Sequence, residues 1–157
     1  MRVWTVCVGL ALAAATAAGA ANLPKGCYEK TWNKAELKKL PLQQVTALRV
    51  EANLGHVPDT KPQTFGRLMA RFRETGEIWL STGYECSDTG AGFACASYCD
   101  GNLFVLSAGG GGLKVMPQTG LMLAGPDCEG SNAVLKMNAD QVPFSLARRG
   151  GKACPAR

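Results

Sequence analysis

Three cysteines, Cys86, Cys95 and Cys99, fall within fourteen residues of the stretch STGYECSDTGAGFACASYCDGNL at positions 81–103. Thiols so placed offer three chemistries: metal ligation, redox or nucleophilic reactivity, and cross-linking. Structural zinc sites use Cys-x2-Cys units or pair cysteines with closely spaced histidines. Here Cys95-Ala-Ser-Tyr-Cys99 is a four-residue step, no second short-spaced pair exists, and the lone histidine, His56, lies thirty residues before Cys86. A thioredoxin-type site needs Cys-x-x-Cys at a helix start to depress a thiol pKa, and that spacing is missing. Cross-linking is the chemistry the spacing leaves.

Other chemistry finds less support. A triad needs its histidine beside a nucleophile and an orienting group, whereas His56 sits in the loop sequence Gly-His-Val-Pro and no serine occupies Gly-x-Ser-x-Gly. Asp88, Asp100 and Asn102 supply oxygens, but Asp100-Gly-Asn102 runs into Leu103 without the ordered ligands of a calcium loop. Asp-Gly-Asn reads as a turn. Gly109 to Gly112 lacks the Gly-Lys-Ser/Thr ending of a phosphate cradle and reads as a flexible hairpin loop. Glu77, Glu85 and Asp100 flank strand-like segments and are candidates for paired-carboxylate hydrolysis, a reading of little specificity among twelve acidic residues. The expectation is no metal, no cofactor and no catalytic residue.

The compartment decides what the sulfur does. Arg2, an uncharged run from Val3 to Ala18 and the small-x-small Ala18-Gly19-Ala20 form a signal peptide cleaved after Ala20. An uncleaved anchor competes with this, because the apolar run is just long enough to span a bilayer. Taking residues 1–20 from 157 leaves 137, enough for one domain with its own core, at residues 21–157. Losing Arg2 lowers the net charge from +5 to +4, and the basic residues are scattered without interleaved aromatics. Nucleic acid is not expected as a partner. Cys7 leaves with the signal, so Cys27, Cys86, Cys95, Cys99, Cys128 and Cys154 remain. An even number in an exported chain reads as three disulfides, with about fifteen pairings open. The pairing taken as the expectation is Cys27–Cys154, Cys86–Cys95 and Cys99–Cys128.

The positioning elements are mostly strands. Asn33 caps a short helix from Lys34 to Leu40, stopped by Pro41. Residues 48–54 then alternate apolar and polar, residues 55–63 form a loop, and residues 65–73 and 78–84 make a hairpin around Glu74-Thr-Gly-Glu77. Leu68, Ala70 and Phe72 share one face of the first hairpin strand; Arg67, Arg71 and Arg73 share the other with Met69. Trp79 and Tyr84 have opposite parity, so one of them faces out. Residues 103–107, 113–116, 121–124, 133–137 and 144–147 are further short strands, and residues 148–157 are a tail tethered by Cys154. The predicted fold is all-β: a single disulfide-braced antiparallel sandwich or barrel of seven to nine short strands with one N-terminal helix.

Cys27-Tyr28 after the signal, the Leu40-Pro-Leu-Gln-Gln-Val45 segment, the cluster ending Cys99-Asp-Gly101 and the late Phe144-Ser-Leu146 together resemble a group of small exported proteins of alphaproteobacteria. The chain departs from that group at Leu42 and Asn102. The resemblance implies a common scaffold and export to the periplasm or beyond, and it carries no activity and no catalytic residue. The functional expectation is a non-enzymatic, monomeric binding protein of the cell envelope or exterior, without a membrane span once processed. Its partner would be a protein or a glycan, met by Trp79 beside Arg67, Arg71 and Arg73, since aromatic and arginine side chains anchor interfaces. The alternatives are a small envelope hydrolase using carboxylates and a module like the exported lysozyme inhibitors.

Overall fold

A computed structural model describes residues 23, 25–52, 63–125, 128–129, 132–135, 140, 142–150 and 154. The predicted signal peptide, His56 with most of its loop, and the tail apart from Cys154 lie outside the described residues.

Ten strands and one helix follow in the order β1 (Gly26–Thr31), α1 (Lys34–Lys39), β2 (Val45–Ala52), β3 (Gln63–Phe72), β4 (Leu80–Asp88), β5 (Phe93–Ser97), β6 (Leu103–Gly109), β7 (Gly112–Pro117), β8 (Leu121–Ala124), β9 (Asn132–Leu135) and β10 (Phe144–Arg148). Every pairing between them is antiparallel. β1 through β7 pair in sequence order, and β10 joins β7 to β1, so eight strands close an up-and-down barrel. The choice between sandwich and barrel thus falls to the barrel. β8 and β9 form an inserted hairpin, attached to β4 where Ser81 meets Ala124.

Eight strands enclose an interior just wide enough for side chains, and large ones fill it. Tyr28, Phe72, Tyr84, Phe104 and Phe144 are fully buried, with Leu48, Leu68, Leu106 and Leu113 between them. Tyr84 and Phe104 meet edge to face at 5.4 Å, and the Tyr84 hydroxyl donates to Glu51 O at 3.1 Å. Gly66 is what admits this ring: a Cβ there would overlap both Glu51 O and the Tyr84 hydroxyl. Burial pushes the Tyr84 phenol far above its ordinary pKa, and the nearby Glu51 charge adds to the shift.

Antiparallel connectivity sends the β1–β2, β3–β4, β5–β6 and β7–β10 connections to one end of the barrel. That end is covered. α1 lays Leu37 and Leu40 on the core, and β8–β9 adds Leu121, Leu123, Ala133 and Leu135. The helix is too short to stand on propensity. A capping box holds its start, with Asn33 Oδ1 accepting from Ala35 N and Glu36 N, and Glu36 accepting from Asn33 N.

The structure corrects several sequence expectations. The cysteine-rich stretch is not a loop between two strands: β4 extends to Asp88, and Phe93–Ser97 is a strand of its own, with Cys86 directly opposite Cys95. Its small residues hid that strand, because alanine, glycine and serine carry little strand propensity. Gly26–Thr31 is likewise a strand that the sequence pattern did not reveal. The tetraglycine does connect a hairpin, as expected, but mostly from within the strands. Gly109 and Gly112 pair within the ladder, leaving Gly110 and Gly111 at φ 60° and 76° as a tight two-residue turn that requires positive φ at both positions. The strand expected from Ile78 begins at Leu80, and Ile78 is exposed.

Candidate functional site

Disulfides position the surface that follows. Cys27–Cys154 spans 127 residues, Cys86–Cys95 crosses adjacent strands, and Cys99–Cys128 ties the β5–β6 turn to the segment after β8. This is the pairing taken as the expectation. Three bridges suit an oxidising compartment. Among the described residues, no helix is long and apolar enough to cross a membrane, and no group of three or more His, Cys, Asp or Glu is placed to hold a metal ion.

On the outside of β1–β4 the register aligns two cross-strand rows. One runs Glu29, Arg49, Met69, Ser81; the other runs Cys27, Glu51, Arg67, Gly83. The first row is capped by Trp79, which stays outside while Tyr84 turns in. The Arg49 guanidinium lies 4.3 Å from the Trp79 ring centroid and that of Arg71 lies 5.0 Å away. Arg49 points outward yet its side chain is only 4% exposed. A small second core, made by Cys27–Cys154, Met69 and Trp79, covers it. Its charge is met by Glu29, whose Oε2 accepts from Arg49 Nε at 2.8 Å and from Arg149 Nη1 at 3.1 Å.

The arginines expected to form one stripe are put to three uses. Arg67 stands exposed opposite Gly83. Arg71 packs on Trp79 and donates through Nη1 to the Glu77 carboxylate. Arg73 does not join them: it lies past the end of β3, donating through Nε to Gln43 O at 2.6 Å and through Nη2 to Leu37 O and Leu40 O. There it adds a donor to carbonyls at the C-terminal end of α1, beside the backbone bonds from Leu40 N to Leu37 O and from Gln43 N to Leu40 O. The three arginines therefore form no single basic stripe: Arg71 is paired with a carboxylate, Arg73 with carbonyls, and Arg67 is exposed. Two donors escape the pairing. Arg71 Nε and Trp79 Nε1 are both buried and have no hydrogen-bond partner.

Tyr98 was not among the residues the sequence singled out. Its side chain is 58% exposed, and its ring occupies the space over Gly83, with Cδ2 2.5 Å from where a Cβ would stand. The backbone fixes it, since Tyr98 N donates to Gly83 O at 2.9 Å and the next residue is the bridged Cys99. The residue opposite Gly83 in the ladder is the exposed Arg67, so both belong to the same outer face. Partial burial, and then the Glu85 charge, hold the Tyr98 phenol above the ordinary pKa, so it remains a donor at neutral pH. A signal was available: a glycine at an outward position within a strand marks the close approach of another group.

The three carboxylates singled out in the sequence stand apart in role. Glu77 is exposed and engaged by Arg71; Glu85 is exposed on the outside of β4. Asp100 accepts from Ser97 Oγ, Asn102 N, Asn102 Nδ2 at 2.9 Å and Met122 N at 2.7 Å. Burial raises its pKa, but those bonds together outweigh the burial and hold it below the usual carboxylate range.

Fold and site define a small, closed, disulfide-braced up-and-down barrel with an aromatic and arginine-bearing outer face. No family model matches the chain, and no curated protein or solved structure is significantly similar to it.

Proposed function

We propose that this is an exported, non-enzymatic binding protein whose recognition surface is the outer face of β3–β5, centred on Tyr98 and Arg67 and flanked by Trp79. The observation that carries this reading is the Tyr98 ring, exposed yet immobilised over Gly83. Such a side chain offers large contact area at little entropic cost, the property that makes rigid aromatics interface anchors. Nothing in the core requires it there. The three disulfides support passage through an oxidising compartment, in keeping with a signal cleaved after Ala20. Asp100, held low by its four donors, does not suit the general-acid half of the paired-carboxylate alternative.

The test uses mature protein immobilised and exposed to envelope extract, in wild-type, Tyr98→Ser and Arg67→Ser forms. A partner retained by wild type and lost from both variants supports the surface. Retention indifferent to both substitutions rejects it. N-terminal sequencing of protein recovered from the periplasm or medium checks cleavage, with Ala21 as the expected first residue.

A further inference from the structure

The outer face carries one pair of groups that neither the fold nor the ion pairs use. Arg71 Nε and Trp79 Nε1 are buried donors without partners. A buried donor left unmet is destabilising, so two in one cluster call for an explanation. Arg71 is already half engaged, because Glu77 accepts from Nη1. The side-on fork of a guanidinium is formed by Nε and the other terminal nitrogen, and it matches the two oxygens of a carboxylate. Glu77 leaves that fork free. Glu77 itself is 86% exposed in the β3–β4 turn, whereas Ile78 beside it is bonded to Thr75 and Trp79 packs on the second core, so the Glu77 side chain is the part of this turn that can swing aside. Arg49 beneath the ring is no competitor for a ligand, being bound to Glu29.

We infer that the Arg71 fork and the Trp79 indole N–H form a receiving site for an acidic side chain of a protein partner, beside the terminal nitrogen that Glu77 holds in the free protein. Binding turns the exposed Glu77 side chain aside, and an aspartate or glutamate of the partner takes up both idle donors. This rests on the reading of the outer face as a recognition surface and names the chemistry of its partner.

Both donors report directly in a 15N–1H correlation spectrum of the mature protein. The indole signal of Trp79 is identified by its loss in Trp79→Phe. The probe is the blocked peptide acetyl-Gly-Glu-Gly-Glu-Gly-amide, with its glutamine counterpart as control. The expected result is a downfield shift of the Arg71 Nε–H and Trp79 Nε1–H signals with the glutamate peptide alone. Glu77→Gln, which removes the resident carboxylate from an exposed turn, strengthens binding several-fold. Arg71→Lys, which keeps the cation but loses the fork, weakens it about tenfold or more. Signals that stay unmoved, with Arg71 Nε–H held upfield by the indole ring, overturn the inference. So does binding indifferent to Glu77→Gln, or inorganic sulfate acting as well as the glutamate peptide. If the peptide moves only signals around Tyr98 and Arg67, the acidic site falls while the recognition surface stands. Loss of partner capture on Tyr98→Ser together with an unmoved Trp79 likewise removes the acidic site and leaves the surface.

Discussion

Two glycines show how one missing Cβ sets the position of an aromatic ring. At Gly66 the vacancy lies inside the barrel and receives Tyr84; at Gly83 it lies outside and receives Tyr98. The second allows a clean experiment. Gly83→Ala introduces a methyl whose three nearest neighbours are all atoms of the Tyr98 ring, at a backbone conformation alanine accepts. Stability in urea is expected to change by less than about 1 kcal/mol, because the unfolded-state gain of Gly→Ala offsets the crowding. Partner capture is expected to fall as it does for Tyr98→Ser. Capture at the wild-type level would detach recognition from this ring. Tyr84 gives a different readout. Its folded pKa is raised, so its contribution is intact below the unfolded tyrosine pKa of about 10 and is lost as pH climbs beyond it. Tyr84→Phe is expected to lose about 1 kcal/mol at neutral pH through the Glu51 O bond, yet to show a shallower alkaline decline. Urea midpoints at pH 7 and above 10 measure both effects.

The elements at the covered end are held by single side chains reaching between them. Arg73 ties β3 to α1, Asp140 accepts from Gln44 N and Val45 N at the start of β2, and Asp100 ties the β5–β6 turn to β8. Asp100 receives four donors beside the Cys99–Cys128 bridge. Asp100→Asn sets an amide donor against Met122 N–H and Asn102 Nδ2, and is expected to cost about 1–3 kcal/mol. The pH dependence follows from its lowered pKa. The stabilisation is present above the unfolded carboxylate value of about 3.9 and is lost as pH falls through the lower folded value. Acid titration of thermal stability is therefore expected to be flatter below pH ~4 in the variant. An unchanged acid limb would show that other carboxylates govern it.

For the molecule as a whole, barrel closure and the Cys27–Cys154 bridge secure the same seam. β10 meets β1 through only two register pairs, Tyr28 with Arg148 and Glu29 with Ala147. The bridge then pins the chain beyond β10 back to β1, under Trp79 and Met69. Replacing both cysteines by serine removes a cross-link of the longest span. The loop-entropy account assigns that span about 4–5 kcal/mol, and measured losses for native bridges run about 2–5. The double variant is expected to unfold at markedly lower urea and to lose the ring-current signature of Trp79 against Arg49. Loss of stability without disturbance of Trp79 would separate the seam from the outer face.

Much of the scaffold was legible locally. Alternation along residues 48–52 and 65–72 fixes which side chains line the barrel, because a strand's faces have period two. Asn33 writes the start of α1, and the even set of six cysteines beyond residue 20 announces disulfides. Strand pairing and turn positions were legible to the extent that glycine and proline punctuate them. What stayed hidden depends on neighbours distant in sequence. Strand β5 is stabilised by its ladders to β4 and β6 and by Cys86–Cys95, not by its own residues. Arg67, Arg71 and Arg73 look alike in sequence and part company only when Gly83, Trp79 and the end of α1 are brought to them. Tyr98 looked like loop until Gly83 was seen beneath it. Period and composition act along the chain, so the sequence alone determined the all-β class, the inward faces and the cross-linking. Burial of an outward arginine, exposure of an anchored tyrosine and the stranding of two donors are set by contacts across the closed sheet, which only the tertiary structure decides.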